Sequence, residues 1–133
     1  MQSVQYGVGR YLDEPYDQAL PRVVDALKAE GFGVITEIDM RQTLKAKIGE
    51  DFRPYKILGA CNPRMAFEAL QLEDKVGIML PCNVIVQDAG GGRTEVAAVD
   101  PVASMASIAN SALMEKASII GASLRAAIDR IHD

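Results

Sequence analysis

Residues 55–63 of this 133-residue chain read Tyr-Lys-Ile-Leu-Gly-Ala-Cys-Asn-Pro, which places a strand pattern directly before a helix start. The mostly apolar run Tyr55–Ala60 is typical of a buried strand. Asn62-Pro63 is typical of a first helical turn, because the asparagine side chain can accept a backbone amide and proline needs no donor there. We therefore predict a strand that ends at Cys61 and a helix over Met65–Leu72.

The residues nearest the N-terminus predict a strand and a long helix. Apolar and polar residues alternate over 4–9, which is the period of a half-buried strand. Asp13 is expected to cap the next helix, Pro15 suits its first turn, and Gly31 is typical of the position just past a helix end. Pro21 lies inside this helix and predicts a bend, because proline removes a backbone hydrogen bond.

A second strand and a short helix are expected between this helix and the quoted stretch. The strand covers 33–38, and Asp39 is expected to cap the helix over 40–48. At the other end of the chain, apolar residues on one side predict a final helix over 111–131. Small residues would let this helix approach its neighbours closely, namely Ala117, Gly121 and Ala127.

Two further strands are expected after the helix that follows the quoted stretch. Residues 76–80 are expected to begin a strand. Pro81 interrupts this strand, and residues 84–87 continue it. The glycines at 90–92 predict a tight turn into a last strand over 94–99.

The order of the long elements is therefore strand, helix, four strands, helix. Strands joined mostly by turns or short excursions favour an antiparallel sheet, and both long helices must then cover one of its faces. We predict a single α+β domain over residues 1–133, in two layers. Its antiparallel sheet has about five strands, the long C-terminal helix packs on that sheet, and two short helices are additional.

The composition limits the kind of partner. Hydrophobic residues make up 49% of the chain, but aromatic residues make up only 5% and tryptophan is absent. This argues against platforms that stack bases or sugars on aromatic rings. With 14 basic and 18 acidic residues, the net charge of −4 argues against binding to a phosphate backbone. We expect no nucleic-acid partner.

The sequence also predicts no membrane association and a cytoplasmic location. No basic segment followed by an apolar one is seen at the N-terminus. The uncharged stretch 101–114 is far shorter than the roughly twenty apolar residues of a spanning helix. Two cysteines in such a chain are expected to be thiols and not a structural disulfide.

Three segments carry a resemblance to a known family. They are 36–45, which begins Thr-Glu-Ile-Asp and ends Thr-Leu-Lys, the quoted stretch 55–63, and Leu-Pro-Cys-Asn-Val at 80–84. In this order and spacing, together with Ala-Ala-Val-Asp-Pro at 97–101, the chain resembles the bacterial and archaeal family called domain of unknown function 302. Pro21 departs from the sequence that this helix usually has in that family. The resemblance implies a TATA-binding-protein-like fold and implies no reaction; likeness of fold to a DNA-binding protein is not evidence of DNA binding.

Cys61 is the first candidate site residue. It directly precedes the Asn62 helix cap, where a thiolate would feel the positive end of the helix, and Arg64 could add positive charge. Cys82 and Asn83 repeat the Cys-Asn pair beside a proline. We hypothesise that the two pairs converge on one binding patch. The simpler interpretation is that the cysteines are small core residues and the asparagines cap local turns.

Three charged residues complete the list of candidates that the sequence offers. Glu37 and Asp39 lie two residues apart on the second strand and could share a face with Lys56. We include Glu37 and Lys56 in the binding patch, whereas Asp39 is expected to act as a cap. No metal site is predicted, because two cysteines and His132 do not form a usual four-ligand zinc set; four thiolates on a homodimer axis are a weak alternative.

Three functions stay open at this point. The first is binding of a small molecule or partner at the Cys-Asn patch, without catalysis and with no cofactor assigned. The second is a thiol-dependent redox or sulfur-handling enzyme, with Cys61 as nucleophile and Cys82 as resolving thiol. The third is a homodimeric assembly module. We favour the first, in a protein that forms a homodimer.

Overall fold

The computed structural model describes the backbone of residues 2–131 and the side chains of residues 4–131. The strands are β1 (Gln2–Val4), β2 (Gly7–Leu12), β3 (Gly33–Asp39), β4 (Tyr55–Cys61), β5 (Cys82–Gly90) and β6 (Arg93–Val99). The α-helices are α1 (Tyr16–Ala29), α2 (Met40–Ile48), α3 (Pro63–Leu72), α4 (Pro101–Ser104) and α5 (Ser111–Arg130), and Val76–Met79 forms a 3-10 helix.

All strands of the described chain form one antiparallel sheet in the order β1-β2-β6-β5-β4-β3. The long helices α1 and α5 pack on one of its faces. The main core lies between these two layers and includes Leu12, Leu58, Val84 and Val96 from the sheet, Val23 and Leu27 from α1, and Leu124 and Ile128 from α5. The predicted two-layer α+β class and the packing of the C-terminal helix on the sheet are confirmed.

A second, smaller core holds the shorter helices against the start of α5. It joins Ala69 of α3 and Val76 of the 3-10 helix to Met105, Leu113 and Ala117. This cluster seats α3 beside α5, at the end of the sheet where β4 finishes and β5 begins. No helix within residues 2–131 is both long enough and apolar enough to cross a membrane.

Several helix ends follow the predicted capping chemistry. Asp39 accepts the amide of Gln42 through Oδ1 at 2.9 Å, and the Oδ1 of Asn62 accepts the amide of Met65 at 3.2 Å. Gly31 follows α1 with a φ of +88°, a left-handed conformation that favours glycine. Helix α1 passes through Pro21, and the bend expected there stays a prediction.

Two predicted strands are corrected by the structure. The strand expected over 4–9 is divided by a turn into β1 and β2, which adds a short edge strand to the five that were predicted. Residues 76–80 do not begin a strand, because Val76 packs into the second core and the segment closes 3-10 hydrogen bonds such as Ile78 N to Lys75 O at 3.1 Å. A short apolar run before a proline fits either structure, and the packing of Val76 decides between them.

One predicted cap is wrong, and one cap that was not predicted is present. Asp13 does not cap α1, whose N-cap residue is Pro15 without a side-chain hydrogen bond. Instead, Asp13 Oδ1 accepts Arg93 Nε at 3.1 Å, a partner that local sequence does not reveal. Asp100 caps helix α4, which the sequence did not predict, by accepting the amide of Val102 at 3.0 Å.

The glycine of the quoted stretch is required by close packing. Gly59 is buried between β3 and β5, and a Cβ atom there would clash with Thr36 Oγ1 and lie 2.7 Å from Pro81 Cγ. Thr36 lies in the middle of β3, and Pro81 directly precedes β5. Gly59 therefore lets these segments approach β4.

We expect Gly59→Ala to lower the free energy of unfolding by about 1–3 kcal/mol, the usual cost of overpacking a tight site. The matched control is Gly33→Ala, because a Cβ at Gly33 meets no atom within 4 Å. Its change should be within about 0.5 kcal/mol. Urea denaturation followed by circular dichroism measures both, and equal midpoints for the two variants would contradict the packing argument.

Candidate functional site

An apolar cavity of about 320 Å³ opens where β4 ends and α3 begins. Its wall is formed almost entirely by apolar atoms, and both cysteines contribute to it. We call it the thiol cavity and define it by six of its lining residues: Phe32, Cys61, Met65, Leu70, Cys82 and Ile120.

Strand pairing explains why both cysteines reach this cavity. Ala60 is the direct partner of Cys82 across β4 and β5, and Cys61 is the next residue along β4. Cys61 therefore lies at the corner between strand and helix, where it is half-buried, whereas Cys82 is only 4% exposed. Asn62 also lines the wall, with its side-chain oxygen already used to cap α3.

The surroundings of Cys82 disfavour the ionised form of its thiol. Burial raises the pKa of Cys82 to about 11, and the nearby Cys61 adds to the effect because a thiolate there would oppose a second negative charge. Cys82 is thus protonated at neutral pH. A thiol is a poor nucleophile in this form, so the surroundings of Cys82 oppose a role as a reactive thiolate.

The structure brings together only some of the predicted patch. Cys61, Asn62 and Cys82 share the thiol cavity, but Asn83 faces the opposite side of the sheet and lines a separate hollow there. The reason is that successive side chains of a strand point to opposite faces. The hypothesis that both Cys-Asn pairs converge is therefore wrong for Asn83. Arg64 is exposed on α3 and is not part of the cavity wall.

The charged candidates lie away from the cavity. Lys56 Nζ and Glu37 Oε1 are 3.6 Å apart, so these two side chains share a face of the sheet as expected. Lys56 is the second residue of β4, and Glu37 lies beside it on β3. Cys61, by contrast, is the last residue of β4. Glu37 also acts on Tyr16, whose pKa is raised to about 12 by burial first and then by the carboxylates Asp39, Asp17 and Glu37.

The wall residues that sequence reasoning missed are apolar. Met65, Ala66, Ala69 and Leu70 form one side of α3, and this helical spacing was the available signal. Ile35 lacked a signal, because it lies at a β-bulge between Val34 and Thr36 that leaves it 60% exposed beside the cavity. Within residues 2–131 no group of three or more His, Cys, Asp or Glu could hold a metal ion, and His132 lies outside the described residues.

The sequence of this chain matches a family model over residues 9–131, that of the domain of unknown function DUF302. The chain belongs to this family. It is also similar to a solved structure described as an uncharacterized conserved protein DUF302 from Bacillus stearothermophilus, with 28% identity and a TM-score of 0.87. That match covers 96% of this chain and 98% of the other. No curated protein matches the chain.

The family resemblance inferred from the three segments is thus confirmed, and the similar structure supports the α+β architecture. The TATA-binding-protein-like class that the resemblance implied stays a prediction. Membership in this family assigns no reaction or ligand, so the chemistry of the cavity must carry any functional argument.

We expect Cys82 to resist alkylation in the folded protein. A pKa of about 11 leaves roughly one thiol in a thousand ionised at pH 8, and burial also limits access. In Cys61→Ser, where only Cys82 remains, iodoacetamide should react at least tenfold more slowly than with a free thiol, and the rate should rise with pH toward 11. Mass spectrometry measures the rate.

Urea-unfolded Cys61→Ser provides the control, because its Cys82 should react as an ordinary exposed thiol. Labelling of native Cys82 at the rate of the unfolded chain would contradict the burial argument. Cys82→Ser gives the reactivity of Cys61 by the same measurement.

Proposed function

We propose that the thiol cavity binds a small apolar molecule. The observation that carries this proposal is a cavity of about 320 Å³ with an almost wholly apolar wall. Small-molecule sites usually have volumes of about 300–1,000 Å³ and mostly hydrophobic walls. Phe32 and Ile120 are buried members of this wall, so part of the cavity is preformed.

The wall also limits the class of ligand. No lysine, arginine, aspartate or glutamate lines the described cavity, so a charged group inside it would lose hydration without gaining an ion pair. Asn62 supplies the amide on the wall, and the two thiols supply polarizable sulfur. A neutral aliphatic or aromatic molecule fits this chemistry better than a phosphate, a sugar or a carboxylate.

A thiol-dependent reaction is the second candidate, because Cys61 and Cys82 line the same cavity. In this alternative, Cys61 is the nucleophile and Cys82 resolves the intermediate. The raised pKa of Cys82 opposes its part in such a cycle at neutral pH. We therefore favour a binding role without catalysis and assign no cofactor. If Cys61 reacts no faster than a free thiol at neutral pH, the hypothesis of a thiol-dependent reaction is contradicted.

Gly77→Leu tests the binding proposal. Gly77 lines the cavity, and a Cβ atom at this position meets no atom within 4 Å, so the larger side chain can enter open space without moving the backbone. We expect saturable binding of a neutral naphthylamine dye to the wild-type chain, followed by fluorescence. Gly77→Leu should weaken that binding at least tenfold, because leucine occupies part of the cavity.

The matched control is Gln71→Leu, which adds the same side chain at an exposed position near the end of α3 outside the cavity wall. It should bind the dye like the wild type. The proposal is contradicted if the wild type shows no saturable binding, or if Gly77→Leu and Gln71→Leu bind equally well.

We also propose that the protein is a homodimer and that it resides in the cytoplasm. The cytoplasmic proposal rests on the two cysteines, which are unpaired thiols.

The dimer proposal rests on the sheet, because α1 and α5 pack on one of its faces and the other carries half-exposed isoleucines. Sedimentation at micromolar concentration should give twice the chain mass, and a strict monomer would contradict it. Residues 1–133 are proposed to form one domain.

A further inference from the structure

The thiol cavity collects three sulfur-bearing side chains from three different elements. Cys61 ends β4, Met65 belongs to the first turn of α3, and Cys82 begins β5. We propose that these three side chains form a binding site for Cu(I). The inference does not depend on the proposed apolar ligand, because it rests on the sulfur atoms of the wall and not on the volume that the wall encloses.

The two cysteines are close neighbours across β4 and β5. Ala60 is the direct partner of Cys82, and Cys61 is the next residue of β4. Opposed Cα atoms of antiparallel strands are about 4.5–5.5 Å apart and consecutive ones about 3.8 Å, so the Cα atoms of the two cysteines are separated by roughly 6 Å. Both side chains line the same cavity, because the chain leaves the sheet after Cys61 and turns into α3. One metal ion is therefore within reach of both thiols.

Met65 is held at the same wall by the cap of α3. The Oδ1 of Asn62 accepts the amide of Met65 at 3.2 Å, which fixes the first turn of the helix. Met65 follows Cys61 by four residues, about one helical turn, and packs against the main core that includes Cys82. The third sulfur thus belongs to a side chain that local hydrogen bonding and core packing already position.

The chemistry of these donors selects a soft ion. Mg²⁺ and Ca²⁺ require oxygen ligands, and the described cavity wall contains no histidine, aspartate or glutamate. Structural zinc sites and iron–sulfur clusters need four protein ligands, chiefly cysteine and histidine, whereas this wall offers two cysteines. Thiolate and thioether sulfur together are ligands that favour Cu(I). The ligand set therefore points to Cu(I) and not to zinc.

The charge of the complex suits its position in the fold. When Cu(I) binds, the thiol protons of Cys61 and Cys82 pass to water, and the sulfur of Met65 donates a neutral lone pair. Two thiolates and one Cu(I) leave one net negative charge, which the positive end of α3 stabilises. The bonds to sulfur replace the hydration that the ion loses, and this separates Cu(I) from the charged ligands that an apolar wall excludes.

The difference in burial between the thiols provides a way in. Cys61 is half-buried at the corner of β4 and α3, whereas Cys82 is only 4% exposed. An ion can bind first to the accessible Cys61 and then to the buried Cys82. The apolar wall around the sulfur atoms keeps water from the bound ion, and such a shell favours the less charged oxidation state.

Competition for Cu(I) without oxygen tests the site in the full-length chain. The coloured chelator bathocuproine disulfonate reports the Cu(I) that the protein does not hold. We expect one Cu(I) per chain for the wild type and at least hundredfold weaker binding for Cys61→Ser and Cys82→Ser. Met65→Leu should bind at least tenfold more weakly, because leucine keeps the approximate volume but lacks sulfur.

The matched control is Met40→Leu, which makes the same exchange at the start of α2, outside the cavity wall. It should hold Cu(I) like the wild type. X-ray absorption of the copper complex gives a second measurement, with three sulfur neighbours expected in the wild type and two in Met65→Leu. Because leucine replaces methionine with little change of packing, Met65→Leu tests the site even if a cysteine variant does not fold.

Several outcomes would overturn the site. A wild-type chain that does not compete with the chelator has no such site, and dye binding by the same chain would leave the apolar-ligand proposal intact. One Cu(I) per two chains indicates an ion that bridges Cys61 of two copies. Full affinity in Cys82→Ser indicates binding to the accessible thiol alone. Equal affinities of Met65→Leu and Met40→Leu remove the thioether from the ligand set and contradict the three-sulfur site.

Discussion

The pairing register of β4 with β5 is the constraint on which the rest of the structure depends. Leu58 lies opposite Val84, and Ile57 lies opposite Ile85. The first pair is buried under the helices, and the second is on the opposite face. A slip of one residue would exchange these faces, placing isoleucines against the helices and the tightly packed Leu58 in the open. The register therefore determines both the core and the surface.

The same register produces the thiol cavity. It places Ala60 opposite Cys82, so the end of β4 brings Cys61 and the start of α3 beside the first residue of β5. The second core, through Ala69 and Val76, then holds α3 and the 3-10 helix against α5. The cavity lies among these elements, and the small residues Ala66 and Gly77 are part of its wall.

The thiol cavity and the hollow lined by Asn83 lie on different sides of one sheet. Asn83 illustrates the separation, since it is adjacent to Cys82 in the chain but lines the hollow on the opposite face. A ligand held at the corner of β4 and α3 would leave free the sheet face that is turned away from α1 and α5. Ligand binding and association of two copies are therefore compatible in one molecule.

The sequence by itself determined most of the elements and the layer arrangement. Periodicity located the strands over 33–38, 55–60 and 94–99 and both long helices, and the caps at Asp39 and Asn62 form as predicted, because these signals act within a few residues. Only the tertiary structure decided the partner of Asp13, the 3-10 conformation of Val76–Met79 and the separation of Asn83 from the cysteines. Each depends on contacts with distant segments or on which way a strand faces. The cavity wall likewise arises only when the strands are paired, because it is not a property of any single segment.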